Sequence, residues 1–150
     1  MRLSRQSHQR LESFFREYYS DDSLRLPEIE IFIKRGAGIV AKLAGVFGIT
    51  FGRFMFIKPD LIFQVETNDL FISKKLMAHE ATHVLQYKRL GWCRFFYTYL
   101  SSYWNALWKK EKWDFDSRME AYLEIPHEVE ARLCADKFIE WCEKTGNPSG

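Results

Sequence analysis

The sequence predicts an α+β domain, with a small β-sheet ahead of a mostly helical second half. Three observations lead there. Short β-branched and aromatic runs with strand-like patterning lie within residues 28–66. Apolar residues recur at helical spacing over residues 74–90, 92–108 and from 126 onward. Glycine, proline and aspartate punctuate these runs. At 150 residues and 47% hydrophobic, the chain suffices for a single domain with its own core. No internal repeat or low-complexity linker divides it.

The elements follow in order. Residues 3–19 read as a helix whose apolar stripe is Leu11, Phe14, Phe15, Tyr18 and Tyr19. Asp21-Asp22 and then Pro27 stop it, so residues 1–27 form an N-terminal helical unit. Residues 28–34 alternate, with Ile29, Ile31 and Ile33 against Glu30, Phe32 and Lys34, the pattern of a strand. A small, glycine-broken apolar stretch follows over residues 36–48. Residues 50–58 suit one strand turned by Pro59-Asp60, and residues 61–66 a further short one.

The next helix is expected over residues 74–90, with Ser73 as N-cap and Gly91 as C-cap. Leu76, His79, His83, Gln86 and Leu90 share one side, while Met77, Ala81, Val84 and Leu85 share the opposite one. A helix apolar on both sides is a buried helix. Residues 92–108 carry an aromatic stripe from Trp92 to Trp108 whose four-residue repeat drifts by roughly 40° per step. Core packing is its default meaning, with a substrate groove or a membrane surface as the functional alternatives. Lys109-Lys110-Glu111-Lys112 reads as a solvated helix end. A last helix starts at Pro126, a residue suited to a first turn, and buries Ala131, Cys134, Ala135, Phe138 and Cys142. Residues 143–150 read as a flexible tail.

Composition narrows the function. The formal charge is +2 with both signs interspersed, unlike the one-sided basic patch of a nucleic-acid binder. Cys93, Cys134 and Cys142 make an odd set without a CxxC pair, so free, buried thiols in a reducing compartment are expected. The first residues contain no apolar core of a secretory signal, and residues 92–108 are too short and polar to span a bilayer. A cytoplasmic protein without membrane contact is the expectation.

His79-Glu80-Ala81-Thr82-His83 carries the chemistry. Two histidines four apart sit one helical turn apart, so both imidazoles project from one face and can share a metal. Glu80 lies about 100° round the helix, where a carboxylate can act as general base without being a ligand. A catalytic zinc takes three protein ligands plus water. The third is sought in Pro126-His127-Glu128-Val129-Glu130-Ala131. Glu128 lies about 60° from the apolar face of that helix and Glu130 about 100°, so Glu128 is the better placed. Both would also complement the positive end of the helix dipole, which needs no metal. His127 caps, packs, faces solvent or donates a hydrogen bond in the site, and His8 is expected at the surface.

The run Leu76-Met77-Ala78-His79-Glu80-Ala81-Thr82-His83-Val84-Leu85-Gln86-Tyr87 resembles the core helix of gluzincin-type metallopeptidases. The chain is similar in particular to small bacterial zincin-like domains of uncharacterised function. These show a strand with a glycine bend, a helix reading roughly HELxHVxQ, an aromatic segment and a second helix with ExEA. The matching pieces are Gly52-Arg53-Phe54-Met55-Phe56-Ile57, then residues 79–91, then residues 126–131, within a core of residues 28–140. The resemblance implies a zincin-like fold in which a small sheet packs on the buried HExxH helix. It also implies Zn²⁺ on His79, His83 and Glu128, with Glu80 as catalytic base. Several such families place an aspartate four residues after the ligand glutamate to orient a metal histidine. Arg132 stands there in this chain.

A competing pattern, Gly36-Ala37-Gly38-Ile39-Val40-Ala41 with Asp60 downstream, fits a dinucleotide-binding fingerprint. That fold needs further βαβ units, which the helical remainder lacks, so the glycines read as turn residues. No phosphate-binding GxxxxGK[ST] loop and no GxSxG elbow is present, and the cysteines lack a catalytic signature. The expected function is zinc-dependent hydrolysis of a peptide or protein substrate, with Tyr87, Tyr122 or His127 as donors to the developing oxyanion. The alternative from another class is an inactive zincin-fold binding or structural module, for example in a toxin-delivery or phage-related assembly. A third is a membrane-surface protein using the aromatic helix.

Overall fold

The computed structural model describes residues 2–33, 48–57, 62–64 and 70–145. Helix α1 is Arg5–Tyr19. Ser4 caps it by accepting from the Ser7 N–H, and Ser20 ends it in the left-handed conformation, its N–H bonded to the Arg16 and Glu17 carbonyls. Strands β1 (Glu30–Ile33), β2 (Gly48–Phe51) and β3 (Phe54–Ile57) form a mixed sheet in the order β1-β3-β2. β1 runs parallel to β3, and β2 antiparallel to it. A separate antiparallel pair joins β4 (Ile62–Gln64) to β5 (Leu70–Ile72).

Four helices follow: α2 (Lys74–Leu90), α3 (Trp92–Trp108), α4 (Phe115–Leu123) and α5 (Pro126–Lys144). The α+β class is thus observed, with five helices among the described residues. α2 lies between the sheet and α5, which is why its residues from Met77 to Tyr87 are buried on every side except at His79. Ile31, Met55 and Ile57 of the sheet meet Met77, Ala81 and Val84 of α2 in one core. Phe14 and Phe15 of α1 and Phe138 of α5 close it, Phe14 and Phe138 packing edge-on at 5.1 Å.

Several expectations need correction. The single strand over residues 50–58 is a tight hairpin, because Gly52 takes φ +59°, a left-handed conformation in which a chain can reverse at once. β5 and α4 are additional, and α4 is announced by Asp114, which accepts from the Ser117 N–H as its cap. The aromatic stripe of α3 is not mainly core. Of its members Phe95 and Leu107 are buried, whereas Trp92, Leu100, Trp104 and Trp108 are exposed. The drift of a four-residue repeat spreads these side chains round the helix, so that no one neighbour covers them all.

Lys110 is no free solvated charge, since it pairs with Glu120 and Glu124 across the α3–α4 turn. His8 is half-buried and not free at the surface: its Nε2 lies 3.1 and 3.2 Å from the Leu26 and Pro27 carbonyls and holds α1 to the chain leading into β1. Cys134 and Cys142 are free and buried as expected, but Cys93 is exposed. α5 continues through Lys144, two residues into the expected tail. The stretch over residues 36–47 and the Pro59-Asp60 turn lie outside the described residues, and with them the dinucleotide-like pattern. No described helix is long and apolar enough to cross a membrane.

Candidate metal centre

The histidines of α2 and Glu128 in the first turn of α5 come together where the two helices pack. His79 Nε2 lies 3.2 Å from Glu128 Oε2, and His83 Nε2 lies 3.3 Å from Glu128 Oε1. The two imidazole Nε2 atoms are 3.2 Å apart. Three donor atoms, two of nitrogen and one of carboxylate oxygen, therefore converge, and this group could hold a metal ion. His83 and Glu128 are buried, while 17% of the His79 side chain is exposed, so His79 is the ligand candidate nearest to solvent.

Glu128 is 3% exposed, and such burial disfavours a charged carboxyl. Hydrogen bonds from His79 and His83, the charge of His83 and the Tyr122 hydroxyl outweigh that burial and hold the carboxyl well below its ordinary range. Tyr99 of α3 donates to Oε1 at 2.8 Å and Tyr122 of α4 to Oε2 at 2.7 Å. Burial and the adjacent Glu128 charge push both phenols up, so they remain donors. For His83, burial opposes the charged form, but the hydrogen bond and charge of Glu128 prevail and raise its pKa to about 9.

Glu80, the expected base, is also buried on α2. Its Oε2 accepts a 2.6 Å hydrogen bond from Thr50 Oγ1 on β2. Its charge is felt by His83, Tyr99 and Tyr122, which places the carboxylate within electrostatic reach of the triad.

Glu130 stands outside the triad. It binds Gln86 Nε2 at 2.8 Å and the Tyr19 hydroxyl at 2.9 Å, and it pairs with Arg89 at 3.2 Å. Arg132, four residues after Glu128, donates to the Leu123 carbonyl. Gln86 Oε1 lies 2.8 Å from His83 Nδ1. His127 stacks on Phe95 at 4.9 Å with its Nε2 2.8 Å from Thr98 Oγ1. Burial, then the charge of His83, lowers its pKa. Tyr87 packs on the rings of Phe95 and Trp92 at 3.9 and 5.0 Å, and Tyr122 is engaged with the Glu128 carboxylate.

Sequence reasoning missed Thr50, Tyr99 and the part taken by Gln86. Only Gln86 left a signal, as a polar residue one turn beyond His83 on the same side of a buried helix. Comparisons of the chain with protein-family models, with curated proteins and with solved structures give no match.

Proposed function

We propose that the chain is a zinc-dependent metallopeptidase of zincin-like architecture, with His79, His83 and Glu128 as ligands and Glu80 as general base. One observation carries the reading: two imidazole Nε2 atoms 3.2 Å apart and one Glu128 carboxylate oxygen all lie within 4.8 Å of one another. Tetrahedral coordination at zinc–ligand distances of about 2.0–2.1 Å puts neighbouring donors roughly 3.3–3.4 Å apart. Two imidazoles with one carboxylate are also a donor set that favours zinc. Zn²⁺ held there would polarise a substrate carbonyl and lower the pKa of a water molecule towards about 7.

The remaining work belongs to the chain. Glu80, one oxygen held by Thr50, takes the proton from the attacking water with its other oxygen and returns it to the leaving amine. Tyr99 and Tyr122 keep the ligand carboxylate ionised and aimed. Peptides or proteins are the proposed substrates, and the cytoplasm the proposed location.

A second reading, a module whose triad is structural only, has its own support. Both carboxylates already have structural partners, Glu80 in Thr50 and Glu128 in two tyrosines. Two measurements separate the readings. Elemental analysis should find about one zinc per chain in the purified protein and much less in Glu128→Ala. Cleavage of a peptide library should then be lost in Glu80→Gln, by about 10²-fold or more, with zinc content retained. Zinc without turnover favours the module, and a chain that takes no zinc after reconstitution defeats the peptidase reading.

A further inference from the structure

We propose that Gln86 and Glu130 are positioning residues for the metal-binding imidazole of His83, and that Tyr19 joins helix α1 to the same chain of hydrogen bonds. The inference rests on the metal-site reading above and extends it to residues that touch no metal.

The Gln86 amide has one acceptor end and one donor end. Its Nε2 lies 3.0 Å from the His127 carbonyl oxygen and 2.8 Å from Glu130 Oε2, two groups that only accept. The nitrogen must face them, and Oε1 then faces His83 Nδ1 at 2.8 Å. A carbonyl oxygen there requires the hydrogen on Nδ1, which leaves the Nε2 lone pair for a metal. The flipped amide would set its oxygen against a carboxylate and a carbonyl. Glu130 thus selects the orientation of the amide, and the amide selects the tautomer of the ligand. Gln86 is 1% exposed, so bulk water offers no substitute.

Glu130 is fixed in turn by the Tyr19 hydroxyl at 2.9 Å and by Arg89 Nη2 at 3.2 and 3.3 Å. Tyr19 is the last residue of α1, and Glu130 belongs to α5. Four residues, Tyr19, Glu130, Gln86 and His83, therefore connect the N-terminal helix to the triad without a gap. Metal binding and docking of α1 are then coupled, each favouring the other by the same factor.

The test is a titration of the full chain with Zn²⁺ and Co²⁺ against a chromophoric chelator, together with amide hydrogen exchange of α1 with and without Zn²⁺. Gln86→Ala and Glu130→Ala should each weaken metal binding about 10- to 100-fold. Tyr19→Phe should weaken it about fivefold, and Zn²⁺ should slow exchange in α1 of the wild type more than in Glu130→Ala. Gln86→Glu combined with Glu130→Gln exchanges the donor and acceptor between the two side chains while keeping an acceptor opposite His83. That pair restores a donor between the two side chains but still sets an oxygen against the His127 carbonyl, so it should recover part of the affinity that Gln86→Glu alone loses. If Gln86→Ala does not fold, the exchange pair and Tyr19→Phe decide. Wild type that binds neither metal removes the metal site and this inference together. Wild type that binds, with both alanine variants within twofold of it, overturns the positioning alone. Unchanged exchange in α1 on adding Zn²⁺ overturns the Tyr19 link.

Discussion

Thr50 Oγ1 donates a 2.6 Å hydrogen bond to Glu80 Oε2, tying the sheet to the helix that carries both histidines. The bond satisfies one oxygen of a carboxylate that is only 3% exposed. It also fixes where the other oxygen points. A strand residue 30 positions away in sequence therefore sets the geometry of the proposed base.

Thr50→Val keeps the shape of the side chain and removes the donor. A buried carboxylate oxygen losing its partner costs about 1–3 kcal/mol, so the denaturant midpoint should fall while the secondary structure is unchanged. Thr50→Ser retains a hydroxyl and should lose less than half as much. If Thr50→Val were as stable as wild type, the bond would contribute nothing and Glu80 would have another partner.

The triad gives the metal-free protein a distinct pH profile. His83 is raised to about 9, above its unfolded value near 6.5. The stability it contributes is fully present below about 6.5 and is lost as pH rises through about 9. Glu128 is depressed, so its contribution is present above its unfolded value and is lost as pH falls. Chelator-treated protein should thus be most stable between roughly pH 5 and 7 and should lose on the order of 2 kcal/mol by pH 9.5. Zinc-loaded protein, whose ligand imidazoles must be deprotonated, should not lose that stability on the alkaline side. Urea unfolding at a series of pH values, with and without zinc, reads both curves. Parallel curves would mean that metal and proton do not compete at His83.

The thiols should separate cleanly. Cys93 is exposed, whereas Cys134 and Cys142 are buried, and burial raises the Cys134 thiol to about 11. A thiolate is the reacting species, so a maleimide at pH 7.5 should label one cysteine per native chain and three per unfolded chain. Rapid native labelling of Cys134, read by peptide mapping, would show that α5 opens from the core far more easily than its packing implies.

What was legible in the sequence follows from where the physics is local. Ser73, Gly91 and Pro126 mark helix ends through their own backbone chemistry, and α2 and α5 begin or end there. His79 and His83 share a face because a helix has 3.6 residues per turn, and the inward lean of Glu128 follows from the same arithmetic. Thr50, Tyr99 and Tyr19 were invisible because their hydrogen bonds to Glu80, Glu128 and Glu130 span 30, 29 and 111 positions. No periodicity within a segment records such a pairing. The stripe of α3 was misread for a related reason: spacing tells which residues share a side but not how much of that side a neighbour covers.

Gly52 shows the same limit at a single position, and it can be tested in isolation. Its φ of +59° lies in the left-handed region, and a Cβ built there would stand 2.6 Å from Trp92 Cζ2. Trp92 leans on this turn while stacking on Phe51 at 6.5 Å, so hairpin and α3 meet through the missing side chain. Gly52→Ala carries two costs, about 1 kcal/mol for left-handed backbone and a further loss of roughly 1–2 kcal/mol as the indole is displaced. Gly91 provides a comparison: its φ is +75°, yet nothing beyond its chain neighbours Leu90 and Trp92 lies within 4 Å of its Cβ position. Gly91→Ala should therefore show backbone strain without the steric loss, whereas Gly52→Ala should show both. In a Trp92→Leu background the cost of Gly52→Ala should shrink to the backbone part, a coupling of at least about 1 kcal/mol in a double-mutant cycle. Additive costs in that cycle would mean that the indole moves aside freely and that the contact does not fix the hairpin against α3.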